Sequence, residues 1–360
     1  MINAVTTTDS STRRRRTRTA IIAGSVLLAV AGSIVLLTSG PTEEATTKGV
    51  TATLHLPGSP DFAAYTPDGL WVSIHGSGAK HNLAPSGQLL RINLATGTVQ
   101  QTVRLSGSTP NLALDANRLI ADPGIAGTST AGAAPGQLIA VDTRTGATLA
   151  RRHQLIGGGP MAVGDGALWE IQEDYARTPT TLEQLNPTTL APIAPPMALS
   201  ATSSVLGLAW GGGYVWATEH AGDVLRIDPA TRTITRADVG GFPIGIAVAG
   251  GSVWVIDNAN ATVIRLDPGT LHPIGQPVSL PAGATFYLGA SDGYLFIADD
   301  SDGTVTRIDT HTGKTAGAPT RIAPASRTGF GSAYAIAPAG TSVWATSPTS
   351  DTISRIQTKP

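Results

Sequence analysis

Residues 212–231 read GGYVWATEHAGDVLRIDPAT, and the phrase returns at 250–270 as GGSVWVIDNANATVIRLDPGT and at 292–313 as DGYLFIADDSDGTVTRIDTHTG. Each copy opens on a glycine turn, runs through an aliphatic and a large residue, and closes on a second apolar run ending in Asp. Extending the register along the chain gives seven equivalent large positions: Trp71, Ile120, Trp169, Trp216, Trp254, Phe296 and Trp344. The second run ends at Asn93, Asp142, Asn186, Asp228, Asp267, Asp309 and Gln357, spaced 39 to 49 residues apart. The D-P-x-T segments that follow read as turns, because Asp bonds its own backbone and Pro presets φ. Val215, Trp216 and Ala217 are apolar on both alternating sets, which predicts a strand buried on both faces.

Units of about 40 residues with four short strands, buried on both faces, predict a β-propeller. Stacking blades around an axis buries each sheet against its neighbours, which no blade achieves alone. The seventh repeat stops at Gln357 after its third strand, and VTATLHL (50–56) reads as a strand with no blade of its own. The expectation is an all-β, seven-bladed propeller over residues 50–360, closed by the N-terminal strand in the last blade.

Composition agrees with this class. The 360 residues include 42 Gly and 25 Pro, with 41% hydrophobic and 14% charged residues; such a chain is rich in turns and folds around a core. A net charge of −1 provides no basic stripe for nucleic acid. The absence of cysteine excludes disulfides, a thiolate nucleophile and thiolate metal sites.

The N-terminus has a different character. RRRRTRT (13–19) precedes an uncharged apolar run at 20–37, and Glu43 and Glu44 follow it. Eighteen residues make a helix of about 27 Å, close to the hydrocarbon thickness of a bilayer. The reading is a cytoplasmic basic tail (1–19), a transmembrane signal-anchor helix (20–37), a linker (38–49) and a propeller outside the membrane. A secreted protein with a cleaved signal is the alternative.

The pattern G-x-V-W-V-x-(D/N)…V-x-R-I-D-P-x-T-G is similar to the YVTN and NHL-type propellers over nearly all of residues 50–357. It most resembles the streptogramin-lyase-like (virginiamycin B lyase-like) branch, whose blades repeat a W-F-T-E phrase that WATEH (216–220) approaches. That resemblance implies Mg²⁺ near the axis, a histidine as general acid/base, and ring opening of a cyclic depsipeptide by elimination. Such propellers also serve as extracytoplasmic sensor and binding domains.

The residues following each large position leave the second strand at one face, where the loops to the third strand emerge. This rim gathers His75, Glu173, Asp174, Glu219, His220, Asp257, Asn258, Asp299 and Asp300. Two loops there are long, at 75–87 and 122–136, as recognition loops on a rigid scaffold tend to be. His220 and Glu219 are the candidate catalytic pair, since imidazole exchanges protons near neutrality. Glu219, Asp257 and Asp299 are candidate ligands for Mg²⁺ or Ca²⁺, which prefer oxygen donors. His75, Glu173, Asp174, Asp257, Asn258, Asp299 and Asp300 form the candidate binding rim. The plainer alternative is that Asp and Asn at strand ends cap turns. The leading functional expectation is a membrane-anchored, non-catalytic module binding a protein or small molecule at this rim; the alternative is a metal-dependent lyase.

Overall fold

The structure, a computed structural model, describes residues 47–75, 87–105, 111–122, 137–153, 159–172, 180–200, 203–281, 287–326 and 331–359. The expected membrane span at 20–37 and the basic tail lie outside them. Among the described residues no helix is long and apolar enough to cross a membrane.

Seven antiparallel sheets follow one another along the chain. Blade 4 shows the plan: inner strand Val205–Gly211, second strand Tyr214–Glu219, third Asp223–Ile227, outer Ile234–Asp238, paired in that order. In blade 6 the outer position is split between Lys314–Thr315 and Thr320–Arg321, both pairing with Thr304–Asp309. Blade 7 contains Ile336–Pro338, Ser342–Ser347 and Thr352–Gln357, and its outer strand is Val50–His55. Thr53 faces Ser354 and His55 faces Thr352 in this closing pair. The inner strands touch in sequence around the ring, and blade 7 touches blade 1.

The repeated large residues form the interfaces between blades. Each is at most 3% exposed. Trp71 packs with Leu119, Ala121, Ile139 and Val141 of the next blade. Trp169 packs with Val205, Val215 and Leu225, and Trp216 with Val253, Val255 and Leu266. Phe296 meets Val343 and Ala345, and Trp344 meets Leu70, Val72 and Leu90 across the closure. Ile120 and Trp254 do the same at their own boundaries. Three indoles also donate to the carbonyl of the residue ending their own inner strand or its turn: Trp169 to Gly164, Trp216 to Gly211 and Trp254 to Ala249. Trp210 stacks on Trp169 across the boundary of blades 3 and 4. It lies over Gly164, where a Cβ would come within 2.0 Å of the indole.

Outside the apolar layer, polar contacts tie each blade to the next. Arg226 Nη1 donates to the carbonyls of Pro268 and Gly269 in the following blade, and its guanidinium lies 5.1 Å from the Tyr214 ring. Arg91 reaches Arg144 O, Arg265 reaches His311 O and Arg307 reaches Thr358 O in the same way. The loops that receive Arg91, Arg226 and Arg265 are the D-x-x-T turns opening on Asp142, Asp267 and Asp309, and Thr358 lies just past the last strand. Asp228 Oδ1 accepts from the amides of Ala230 and Thr231, and Asp267 Oδ1 from those of Gly269 and Thr270. Amide donation of this kind, led by Thr145, Thr231, Thr270 and Thr312, holds the carboxyls of Asp142, Asp228, Asp267 and Asp309 below the ordinary Asp range.

Without Val50–His55, Thr352–Gln357 becomes an open sheet edge and Leu54 and Leu56 leave the interface with blade 1. A chain beginning at Pro57 is expected to lose its cooperative thermal transition or elute as aggregates. A chain beginning at Thr47 is expected to unfold like the full-length protein; equal midpoints for the two chains would contradict the closure.

Candidate functional site

The inner strands enclose an axial cavity of about 410 Å³. Its wall is built by one column, the residue nine places before each large interface residue: Phe62, Asn111, Pro160, Gly207, Gly245, Tyr287 and Ala335. These residues lie in the first half of the inner strands or just ahead of them, so the cavity sits toward the face carrying the rim loops. Several inner strands are bulged at this end, between Pro60 and Ala63, Val205 and Gly207, and Pro243 and Ile246. Side chains take up the backbone groups that the bulges free. Ser73 Oγ accepts from the Phe62 amide, Thr218 Oγ1 donates to Ile244 O, and Thr346 Oγ1 donates to Asp61 O. The last two bonds cross from one blade to the next.

One sector of the wall carries chemistry. Phe62 stands edge-on to Tyr287 at 5.0 Å and to Tyr334 at 5.6 Å, and the two tyrosine hydroxyls are 3.2 Å apart. Asp61 and Asp300 are buried beside them. Burial pushes the Tyr287 phenol up to about 12, and that of Tyr334 well above its usual value, with both carboxylates adding to each rise. Both phenols are therefore neutral at physiological pH. Asp300 Oδ1 accepts from the Gly331 amide, but burial dominates and raises its carboxyl to about 6; neighbouring Asp299 contributes to the rise.

The rim expected from the sequence is dispersed. Glu219 ends its strand buried, with Oε2 2.5 Å from Arg236 Nη1; Arg236 also donates to Leu199 O. Burial raises the Glu219 carboxyl, and Arg236 partly opposes this. His220 lies just beyond the strand, exposed, with its ring edge-on to Phe242 at 4.7 Å. The pair thus serves two separate environments, a salt bridge and an aromatic contact. Asp257 Oδ1 accepts from the amides of Phe242 and Ala259, and Oδ2 from Asn260 Nδ2. Gly241, at φ +62°, passes so close that a Cβ there would lie 2.3 Å from this carboxylate. The Asn258 amide donates to Phe242 O. Asp299 Oδ1 caps its own turn through Ser301 and Asp302; burial raises this carboxyl against those bonds. His75 ends its strand opposite Ser59, and its side chain, like Glu173 and Asp174, lies outside the described residues.

Glu219, Asp257 and Asp299 do not form the expected metal set. Each belongs to a different blade: Asp257 engages both oxygens, whereas Glu219 commits Oε2 to Arg236 and Asp299 commits Oδ1 to its turn, leaving Glu219 Oε1 and Asp299 Oδ2 buried without a hydrogen bond. Among the described residues no three His, Asp or Glu side chains converge to hold a metal ion, so the described donors do not assemble a Mg²⁺ or Ca²⁺ site. The rim reading does include Asp300, but it misses Asp61, Phe62, Tyr287 and Tyr334. The signal that finds Phe62 and Tyr287 is the column nine places before the interface residue, where they stand out among Gly, Pro and Ala.

Because folding raises the Asp300 carboxyl, the folded state holds its proton more tightly than the unfolded chain. Its contribution to stability is present below about pH 4 and is lost as pH rises through about 6. Asp300→Asn keeps an acceptor for Gly331 and removes the charge. It is expected to stabilise the protein at pH 8 by about 1–3 kcal/mol, with the difference vanishing near pH 4, in denaturant titrations at both pH values. A less stable variant at pH 8 would refute this account of the site.

Comparison with known proteins bears on the fold. A family described as a repeat of unknown function (DUF6923) matches residues 164–276. No curated protein matches the chain in sequence. Among solved structures, virginiamycin B lyase from Staphylococcus aureus is 14% identical, with 85% of this chain and 98% of that one covered and a TM-score of 0.62. The Cps50 (Swd1) β-propeller domain from Myceliophteria thermophila is 12% identical, covering 86% and 99%, with a TM-score of 0.61. BamB from Moraxella catarrhalis is 12% identical, covering 86% and 99%, with a TM-score of 0.55. The chain is a seven-bladed β-propeller similar in fold to virginiamycin B lyase and to BamB.

Proposed function

We propose that this protein is a membrane-anchored, extracytoplasmic propeller that binds a small molecule at its axis without transforming it. The observation that carries the reading is the axial cavity, to which all seven inner strands contribute and whose wall is uneven. Its size falls within the range of small-molecule sites, roughly 300–1,000 Å³. Anchoring rests on the sequence, the apolar run at 20–37 behind five arginines. The lyase alternative requires an acid–base pair free to act, and Glu219 is engaged by Arg236.

The reading is tested by a small-molecule screen on the full-length protein, monitored by thermal unfolding. Compounds present at about 100 times their Kd stabilise by about 2.7 kcal/mol, a rise of a few degrees. Leu206→Trp places bulk at a partly exposed position of the cavity wall and is expected to abolish those rises. Hits that stabilise the variant equally would place binding elsewhere. A cyclic depsipeptide lactone incubated with the protein and Mg²⁺ is expected to stay intact; its opening would establish the lyase. Protease added to intact cells is expected to digest the propeller, and full protection would reject the extracytoplasmic placement.

A further inference from the structure

The outer position is an unbroken strand in blades 1, 2, 4 and 7 and is interrupted by proline in blades 3, 5 and 6. Pro192, Pro195 and Pro196 precede Met197–Ser200, Pro273 and Pro277 precede Val278–Ser279, and Pro319 lies between the two halves in blade 6. Proline removes a donor and closes an edge to further pairing. Blade 1 is left open. Its outer strand, Val99–Arg104, is bulged at Gln100 and then pairs regularly over Gln101–Arg104. Leu105 N donates to Gly87 O. Backbone groups alternate along an antiparallel ladder, so Gln101 and Val103 also bond inward, while Thr102 and Arg104 turn N–H and C=O outward. The equivalent bond runs from Val239 to Gly222 in blade 4 and from Leu56 to Asp351 in blade 7, so this register belongs to the repeat. Among the described residues nothing hydrogen-bonds the outward edge of blade 1.

Charge distinguishes the four open edges. Val50–His55 of blade 7 has no acidic or strongly basic residue, and blade 4 mixes Asp238 with an Arg236 already held by Glu219. In blade 2, Arg151 donates to Gln137 Oε1 and Arg152 to Glu183 Oε2. Arg104 of blade 1 is exposed and has no polar partner among the described residues. The sequence has no carboxylate between Asp68 and Asp115, so neither the outer half of blade 1 nor the loops on either side of it supply one. Leu94 and Val99, at the start of the same edge, are 36% and 43% exposed.

Each observation selects a feature of the partner. An open edge with alternating outward amides and carbonyls accepts a backbone in extended conformation. Arg104 favours a carboxylate on that backbone, because opposite charges attract across a strand pair and like charges repel. The same arginine opposes pairing with a second copy of this edge. Exposed Leu94 and Val99 suit apolar residues alternating with the acidic ones. We propose that the outer edge of blade 1, at Gln101–Arg104, takes up an extended acidic segment of another protein as a fifth strand. This surface lies on the outer wall of the ring, and the proposal is independent of the reading of the axial cavity.

Fluorescence anisotropy tests it on the full-length protein, with a labelled peptide of about nine alternating Glu and Val residues and a Lys–Val peptide of the same pattern. In low salt the acidic peptide is expected to bind at least about tenfold more tightly than the basic one, and the gap to narrow in about 0.5 M NaCl. Because a strand pairs through one edge, N-methylation of alternate peptide amides is expected to abolish binding in one of the two possible sets. Arg104→Glu is expected to weaken the acidic peptide about tenfold and to tighten the basic one. Thr102→Pro removes an outward N–H while sparing the ladder, and is expected to weaken the acidic peptide about tenfold or more. Leu206→Trp is expected to leave it unchanged.

No binding of the acidic peptide at about millimolar concentration, equal affinity for the two peptides in low salt, full binding by both N-methylated sets, or loss of binding in Leu206→Trp would each overturn the proposal. If Thr102→Pro loses its thermal transition, Arg104→Glu decides, and an affinity unchanged by that substitution overturns the site.

Discussion

The fold depends on the burial of one large side chain per blade in the face of the next. Those seven residues are chemically ordinary, five Trp, one Phe and one Ile, but they recur at one register and so place seven apolar clusters at seven boundaries. Truncating a buried Trp or Phe to Ala removes about 3–5 kcal/mol at a single site. In a closed ring the loss also reaches the neighbours, because every blade needs two covered faces. Closure is therefore a condition of burial, and the pairing of Val50–His55 with Thr352–Gln357 meets it where the propeller's first and last strands come together.

Two polar rings flank the apolar one. On one side, arginines of the third strands reach the chain just past the third strand of the following blade. On the other, near the axis, Thr218 and Thr346 donate across blade boundaries, and Asn111 Nδ2 donates to Gly159 O. Hydrogen bonds of this kind contribute only about 0.5–1.5 kcal/mol each, more where a charged donor is involved. They are directional, however, and apolar burial is not. The apolar layer supplies the bulk of the stability and the polar rings fix the angle at which successive blades meet. Blade 2 shows that the device tolerates substitution. Ala140 occupies its arginine position, and Arg118 of the adjacent strand makes the contact to the next turn through Thr188 Oγ1.

The fold was legible in the sequence because its determinant is periodic. The seven large positions, the Asx turns and the closing strand can all be read by laying repeats side by side. The site was much less legible, for a physical reason. A search for chemistry follows Asp, Glu and His, and in this chain most such residues at strand ends satisfy their own loops. Asp257 and Asp299 accept amides two and three residues ahead or across the connection, and Glu219 holds Arg236. The axial wall is defined by residues of little chemical character, Gly, Pro and Ala among them, so its two aromatic members look unexceptional until the column is assembled. Asp61 and Tyr334 are harder still. Asp61 sits in a bulge that shifts the pairing register, and Tyr334 precedes its column position by one residue.

A ring of repeats gains a site only where the repetition breaks, and the location of the break has consequences. The departures cluster in blades 1, 6 and 7, so the aromatic sector straddles the seam at which the chain closes. Phe62 follows directly from the closing strand, and Tyr334 belongs to the blade that receives it. A cavity walled by Phe62, Tyr287 and Ala335 exists only while the circle is shut. Any occupant that prefers this cavity to the unfolded chain must favour closure by the same free energy, through mass action alone. Asp300 acts in the opposite sense, since a buried carboxylate near neutral pH opposes folding. Asp300, which accepts from the Gly331 amide, thus weakens the ring beside its seam. Any occupant of the axis therefore supports the ring at the point where the fold has least redundancy.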